Sequence, residues 1–286
     1  MPFQPERAAA EAAARAAADF VRQHAGGLDP EAVRQKGTHD LVTFVDEEAQ
    51  RIVLGHLRQS FPDDDVLGEE GAENVAERLR ARRVWIVDPL DGTTNFAHGV
   101  PPYAVSVGLR VEGEAAVGVV VEVASGEVFS AARGEGLTVD GRPARVSETA
   151  GLAEALVATG FPFRDYRYVD GYLESFEDAI RQARGVRRHG AAAVDLAWTA
   201  AGRFDGFFEA GLAPWDVAAG VALVEAAGGR VGGLWPGADP VASGGLVAAA
   251  PGVYDALAEI ARPLGRAFRE ATRETTREGA GGEGAV

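Results

Sequence analysis

The chain has no cysteine among its 286 residues, which excludes disulfides, thiolate metal sites and a cysteine nucleophile together. Any metal it holds must sit on oxygen or histidine. Basic charge is scarce as well: 28 Lys and Arg stand against 43 Asp and Glu, a net charge of −15. That balance disfavours nucleic acid as a partner, because the phosphate backbone rewards Lys and Arg. Long apolar runs are also missing. The Ala-rich stretch from Ala8 to Val21 is interrupted by Glu11, Arg15 and Asp19. It predicts an amphipathic helix and neither a signal peptide nor a membrane span. A cytoplasmic location with no membrane partner is the expectation. With 47% apolar and 25% charged residues, the composition suits one large or two medium globular domains with a substantial core.

The most informative stretch runs from Trp85 to Phe96, Trp-Ile-Val-Asp-Pro-Leu-Asp-Gly-Thr-Thr-Asn-Phe. Val84 to Val87 have the character of a buried strand, and Pro89 and Gly92 then predict a turn where the acids sit. Asp88 and Asp91 can share a hard cation such as Mg2+, which prefers carboxylate and carbonyl oxygens. After Gly92, backbone N–H groups and the hydroxyls of Thr93 and Thr94 can receive phosphate oxygens where the loop opens a helix. A calcium-binding helix–loop–helix is excluded, since Gly99 stands where its closing Glu is required. An aspartyl-phosphate phosphatase places one residue between its two acids, whereas Pro89 and Leu90 both intervene here. The remaining alternative for an isolated acid pair is an Asp-rich surface turn.

Helical spacing recurs at Val45, Ala49, Ile52, Val53 and Leu57, with Asp40 and Asp46 at its N-terminal end. Phe61-Pro62 stops that helix, and Val66-Leu67-Gly68 predicts a short strand delivering Glu69 and Glu70. From Tyr103 the period becomes two, and turn signals at Gly113, Gly126, Gly134 and Asp140-Gly141 indicate an antiparallel meander. Beyond about residue 148 short apolar strands such as Ala155 to Ala158 alternate with helical patterns. Phe207-Phe208-Glu209 reads as a strand end, and Asp216 as the start of a helix whose apolar face includes Val217, Val221 and Val224, closed by Gly228-Gly229. The expected organisation is an N-terminal α+β domain over 1–147, a C-terminal α/β domain over 148–269 and a disordered tail over 270–286. No internal repeat is found.

Gly68-Glu69-Glu70, the Asp88 to Phe96 run and Trp215-Asp216-Val217-Ala218-Ala219-Gly220 together resemble the inositol monophosphatase family. Lys36 with Asp40-Leu41-Val42-Thr43 and Asp46, and Arg188-His189-Gly190-Ala191-Ala192-Ala193 leading to Gly202-Arg203-Phe204-Asp205-Gly206, extend the resemblance over nearly the whole chain. It implies an α/β fold with an α+β N-terminal half, the layered αβαβα sandwich shared with fructose-1,6-bisphosphatase. It also implies Mg2+-dependent hydrolysis of a small-molecule phosphate monoester, with two or three ions per site, in a homodimer. By that resemblance Glu69, Asp88, the Leu90 carbonyl, Asp91 and Asp216 match the metal ligands, with Asp88 bridging. Thr93 with Asp46, and Glu69 beside them, match the groups that orient and deprotonate the attacking water. Substrate-binding positions match Leu90, Asp91, Gly92, Thr93, Thr94, Gly190, Ala191, Ala192, Glu209 and Asp216, with Glu209 as the reader of polyol hydroxyls.

Other residues attract weaker assignments. Glu70 is expected to support the site without reaching the metal, Lys36 to favour anion binding, and His39, His98 and His189 to form local hydrogen bonds. Arg187 and Arg188 either salt-bridge at a subunit contact or meet substrate. The chain departs from the commoner pattern at Ala191-Ala192-Ala193, where a Ser or Thr often follows the glycine, so one hydroxyl able to touch substrate is missing. The leading expectation is an inositol-1-phosphate phosphatase. Its alternatives are a fructose-1,6-bisphosphatase or broad sugar-phosphate phosphatase and, from another class, a protein-binding regulator of transcription.

Overall fold

The computed structural model describes residues 3–26, 33–37 and 40–281, with side chains described over 3–26 and 44–274. The side chains of Lys36, His39 and Asp40 to Thr43 lie outside the described residues, as do residues 282–286 of the expected tail. The first helix, α1, covers Gln4–His24 and buries Ala10, Ala13, Ala14, Ala17, Ala18 and Val21, one face at helical spacing. A hairpin of β1 (Val33–Gly37) and β2 (Asp40–Thr43) leads into α2 (Phe44–Ser60). Strand β3 (Asp65–Gly68), the short helix α3 (Val75–Arg78), β4 (Arg83–Asp91) and the single-turn helix α4 (Thr93–Ala97) follow. The meander is β5 (Ala104–Val111), β6 (Glu114–Glu122), β7 (Val128–Ala132), β8 (Gly136–Val139) and β9 (Arg142–Ala144). Together these make a seven-stranded sheet in the order β3-β4-β5-β6-β7-β8-β9, parallel only between β3 and β4.

The second half opens with β10 (Leu156–Thr159), α5 (Val169–Gln182), β11 (Gly185–Arg187), α6 (Ala192–Ala200) and β12 (Gly206–Ala210). It continues through α7 (Pro214–Ala226), β13 (Arg230–Gly233), β14 (Gly245–Ala249), α8 (Pro251–Ile260) and α9 (Arg262–Gly281). Its five strands order as β11-β10-β12-β14-β13, with β10 parallel to both β11 and β12 and the rest antiparallel. Helices α1 and α2 pack on one face of the large sheet, and α6 and α7 lie between the two sheets. Helices α5, α8 and α9 cover the far side of the small sheet, which completes the five layers αβαβα. Among the described residues no helix is long and apolar enough to cross a membrane.

The middle layer is where the structure differs from the sequence pattern. An amphipathic α7 with one apolar face was expected, yet Val217 through Val224 are all buried, because a helix between two sheets has no solvent face. It also starts two residues before Asp216, at Pro214, whose missing N–H costs nothing in the first turn. Close packing of α7 depends on glycines in the large sheet. A Cβ at Gly108 would stand 2.8 Å from the Ala219 nitrogen, and one at Gly118 would overlap the Ala219 carbonyl.

Gly108→Ala should therefore lower stability by about 1–3 kcal/mol, since helix backbone cannot step aside as a side chain would. Gly55→Ala, in the exposed face of α2 with nothing within 4 Å, should instead raise it by about 0.5–1 kcal/mol. Urea midpoints at constant slope would report both, and equal effects of the two changes would contradict this packing account.

Candidate active site

Parallel pairing of β3 with β4 places Gly68 opposite Val87, so Glu69, just past the end of β3, comes beside the next residues of β4. The Glu69 N–H then donates to the Val87 carbonyl at 3.1 Å, which sets Glu69 beside Asp88. Strand β4 does not end at Val87 as its sequence suggested. It runs on to Asp91, with a register shift between Asp88 and Asp91 that places an extra residue in the ladder against β5. The shift makes room for the Leu90 N–H to donate to Asp88 Oδ1 at 2.9 Å.

Three helix N-termini meet these acids. Gly92, at φ 86°, starts α4 directly after Asp91. The Ala193 N–H in the first turn of α6 donates to Asp91 Oδ2 at 2.8 Å. Asp216, in the first turn of α7, accepts from the Ala213 N–H at 2.8 Å. Backbone N–H groups and helix dipoles favour negative charge at such positions, which partly offsets the burial of the carboxylates.

The result is a cavity of about 570 Å3 lined by every substrate and metal position expected from the sequence: Glu69, Asp88, Leu90, Asp91, Gly92, Thr93, Thr94, Gly190, Ala191, Ala192, Glu209 and Asp216. Asp46 is 1% exposed and stands behind the wall, reached through Thr93. Thr93 Oγ1 lies 3.1 Å from Asp46 Oδ1 and 3.0 Å from the Leu90 carbonyl oxygen, so its one proton has two acceptors. Glu70 does not line the cavity. Its backbone is gripped on both sides by the Gln50 amide, at 2.8 and 2.9 Å, which holds the segment carrying Glu69.

Electrostatics mark the same spot. Burial, and then the charges of Glu69, Asp91 and Asp216, push the Asp88 carboxyl well above the usual carboxylate range. Asp91 is raised well above it by burial and by Asp216, against the bond from Ala193. Glu209 is likewise raised well above its ordinary value, by burial first and then by Asp195, with Arg188 opposing. Its carboxylate lies over Gly160, where a Cβ would overlap it. Among the described residues no three acids or histidines already form a closed metal cage. Asp88, Asp91 and Asp216 each instead direct one oxygen to a backbone N–H. The donor set nonetheless fits Mg2+, being entirely oxygen, acidic, crowded with like charge and open to the cavity.

The remaining residues divide clearly. His189 Nδ1 meets Asp195 Oδ1 at 2.8 Å and its ring stacks on Phe204, a structural role, whereas His98 lines the cavity. Arg187 points away, with a bond to the Val186 carbonyl, while Arg188 lines the cavity. Several contributors had drawn no assignment from the sequence. Asn95 Nδ2 donates to the carbonyls of Pro102 and His189, both at 2.8 Å, and ties the two halves of the wall together. Gln50 looks like any polar residue on an amphipathic helix. Phe161, Phe163, Arg164 and Tyr168 also line the cavity, from a loop with no period to read.

Comparison with known proteins bears on the family and the fold. The profile of the inositol monophosphatase family matches residues 3–266. The Nus factor SuhB of Pseudomonas aeruginosa is 40% identical over 263 residues, 91% of this chain and 97% of that protein. The Escherichia coli protein of the same name is 39% identical over 245 residues, 86% of this chain and 91% of that one. Among solved structures, the inositol monophosphatase from Anabaena matches with a TM-score of 0.76 at 34% identity, covering 90% of this chain and 95% of that one. The extragenic suppressor protein suhB from Bartonella henselae matches with a TM-score of 0.79 at 35% identity, covering 90% and 96%.

Carboxyls raised by burial and mutual repulsion bind protons more readily folded than unfolded. Asp88, Asp91 and Glu209 therefore favour the fold below the ordinary carboxylate pKa of about 4 and lose that contribution as pH rises through their raised values. Metal-free protein should gain stability from these groups on moving from pH 8 to pH 5.5, and Asp88→Asn should weaken the dependence. Mg2+ at 100 times its Kd should stabilise by about 2.7 kcal/mol and should raise the melting temperature more at pH 8 than at pH 5.5. A Mg2+ effect that grew on acidification would contradict the assignment.

Proposed function

The chain belongs to the inositol monophosphatase family, and from that premise we propose that it hydrolyses inositol 1-phosphate to inositol and inorganic phosphate with Mg2+. The family is generally Mg2+-dependent. The observation that supports the reading most is the Thr93 hydroxyl, set between Asp46 and the Leu90 carbonyl at the edge of a cavity lined by Glu69, Asp88, Asp91 and Asp216. A cytoplasmic homodimer with two or three ions per site completes the proposal.

Glu69, Asp88, the Leu90 carbonyl, Asp91 and Asp216 would hold Mg2+. Bound there, the metal supplies charge neutralisation on the phosphoryl group and on the attacking and leaving oxygens. The other tasks fall to the chain. Water seated against Thr93 Oγ1 can pass its proton to the hydroxyl as the hydroxyl's own proton moves to Asp46, a relay that makes a poor base effective. Glu69 lies on the same wall and can share the proton. Backbone N–H groups at Gly92, Thr93 and Thr94 would hold phosphate oxygens, and Gly190 and Ala191, packed beside Gly92, shape the same wall with Ala192. Glu209, raised toward its protonated form, can both donate to and accept from the hydroxyls of a polyol ring.

Fructose 1,6-bisphosphate is the competing ester, because it needs the same phosphate chemistry. The relatives named Nus factor SuhB favour a second reading, in which the chain regulates transcription through a protein partner. Retention of every acid in the proposed donor set is the reason to place catalysis first.

Phosphate release from inositol 1-phosphate, fructose 1,6-bisphosphate, histidinol phosphate and 3′-phosphoadenosine 5′-phosphate, compared by kcat/KM with Mg2+, tests the proposal directly. Thr93→Ala should lower kcat by about 10²–10⁴ with little change in KM. Asp91→Asn should lose activity at least as severely, and near wild-type turnover in that variant would sink the metal assignment. Folded, Mg2+-binding protein that released phosphate from none of the esters would favour the transcription reading.

A further inference from the structure

Among the described residues β3 is an edge strand of the large sheet, paired on one side only, with β4. An open edge leaves backbone N–H and C=O groups without a ladder, here where the chain runs from Gly68 into Glu69 and Glu70. The side-chain amide of Gln50 takes the place of the missing strand. Its Nε2 donates to the Glu70 carbonyl at 2.8 Å and its Oε1 accepts from the Glu70 N–H at 2.9 Å. That two-way exchange is the one an antiparallel partner residue makes. Gly68 lets the amide lie so close, since a Cβ there would overlap Gln50 Oε1 and stand 2.7 Å from Cδ.

The same helix holds another part of the site. Asp46 and Gln50 stand one turn apart in α2, so their side chains leave one face of it. Asp46 meets Thr93 at 3.1 Å, while Gln50 meets the residue next to Glu69. Val45, Ala49, Val53 and Leu57 bury the helix against α1 and β4, which makes it a fixed reference for both. The expected metal ligands differ in what carries them. Asp88, Leu90 and Asp91 lie in β4 and Asp216 in α7, whereas Glu69 lies just past the end of β3. The chain beyond it gives little support: Gly71 takes φ 73°, Asn74 takes φ 53°, and α3 buries none of its residues.

We propose that Gln50 is a positioning residue for the metal site, which clamps Glu70 to α2 and thereby fixes the carboxylate of Glu69 toward the cavity. This rests on the metal assignment made with the phosphatase reading. Gln50 does not line the cavity and acts only through Glu69. A ligand held in place beforehand has less freedom to lose when it binds, so the clamp contributes to Mg2+ affinity. Outer partners of metal ligands are typically worth about 10–100-fold in that affinity. The competing role for Gln50 is to close the sheet edge and nothing more. That role would alter stability and leave Mg2+ affinity where it was.

Calorimetric titration of Mg2+ into wild type, Gln50→Met and Gln50→Asn separates the two without any ester. Met matches the length of Gln without its hydrogen bonds, and Asn keeps the amide on a stem too short to reach Glu70. Both variants should raise the Kd for Mg2+ by about tenfold or more. In the metal-free protein, hydrogen exchange at the Glu70 amide should quicken in both, which reports loss of the clamp itself. Leu54→Ala, which thins the apolar packing of the same helix, should lower the melting temperature and leave the Kd unchanged. On inositol 1-phosphate, both Gln50 variants should need more Mg2+ for half-maximal rate and regain most of the wild-type kcat at saturating Mg2+. Quicker exchange at Glu70 with an unchanged Kd would overturn the proposal, as would a Kd raised equally by Leu54→Ala. If wild type hydrolyses no ester, a raised Kd in the Gln50 variants still supports the positioning role. If wild type binds no Mg2+, the metal assignment and this role fall together.

Discussion

Repulsion among buried carboxylates is the constraint on which this structure turns. Glu69, Asp88, Asp91 and Asp216 face one cavity, with Asp88 at 1% and Asp91 at 8% exposure. Such a cluster opposes folding unless opposite charge meets it. The fold answers in part with backbone: N–H groups of Leu90, Ala193 and Ala213 each reach one acid, and the last two belong to helix N-termini. What remains is a concentration of negative charge facing an open cavity. Site and strain are thus the same feature, as is common where function is placed against stability.

Holding the cluster in place requires both sheets. Glu69 follows β3 and Asp88 lies in β4, its parallel neighbour in the large sheet, while Glu209 lies in β12 of the small one. Helices α6 and α7 bridge the gap, and the bond from Ala193 to Asp91 spans 102 positions in the chain. Close approach of α7 at Gly108 and Gly118 is what lets Asp216 reach the end of β4. The middle layer is consequently the least tolerant part of the molecule, because packed backbone cannot relax around an added methyl. The cavity opens where the strands end, the usual position for a ligand in a layered α/β sheet.

Much of this was legible beforehand for identifiable reasons. Helical spacing located α1 and α2, alternation and glycine turns located the meander from β5 to β9, and the acids stood in short motifs next to glycines. Local rules failed where neighbours decide. Asp88-Pro89-Leu90-Asp91 contains a proline and reads as a turn, yet pairing with β5 keeps it in the sheet through a bulge. Val217, Val221 and Val224 read as one face, but the two sheets bury every residue from Val217 to Val224. Gln50 and the ring pair Phe161 and Phe163 carry no periodic or motif signal, and Asn95, though inside the motif, shows no role there, because their roles arise from groups distant in the chain.

By itself the sequence determined the chemistry: no sulfur ligand, an excess of acid, and oxygen donors grouped beside glycines that free backbone N–H groups. Those are properties of residue type and short-range spacing. Only the tertiary structure decided which acids face one another, how deeply each is buried, that Thr93 stands between Asp46 and the Leu90 carbonyl, and that Arg188 lies on aromatic rings at the same cavity. Distance and desolvation set those outcomes, and both depend on elements brought together from opposite ends of the chain.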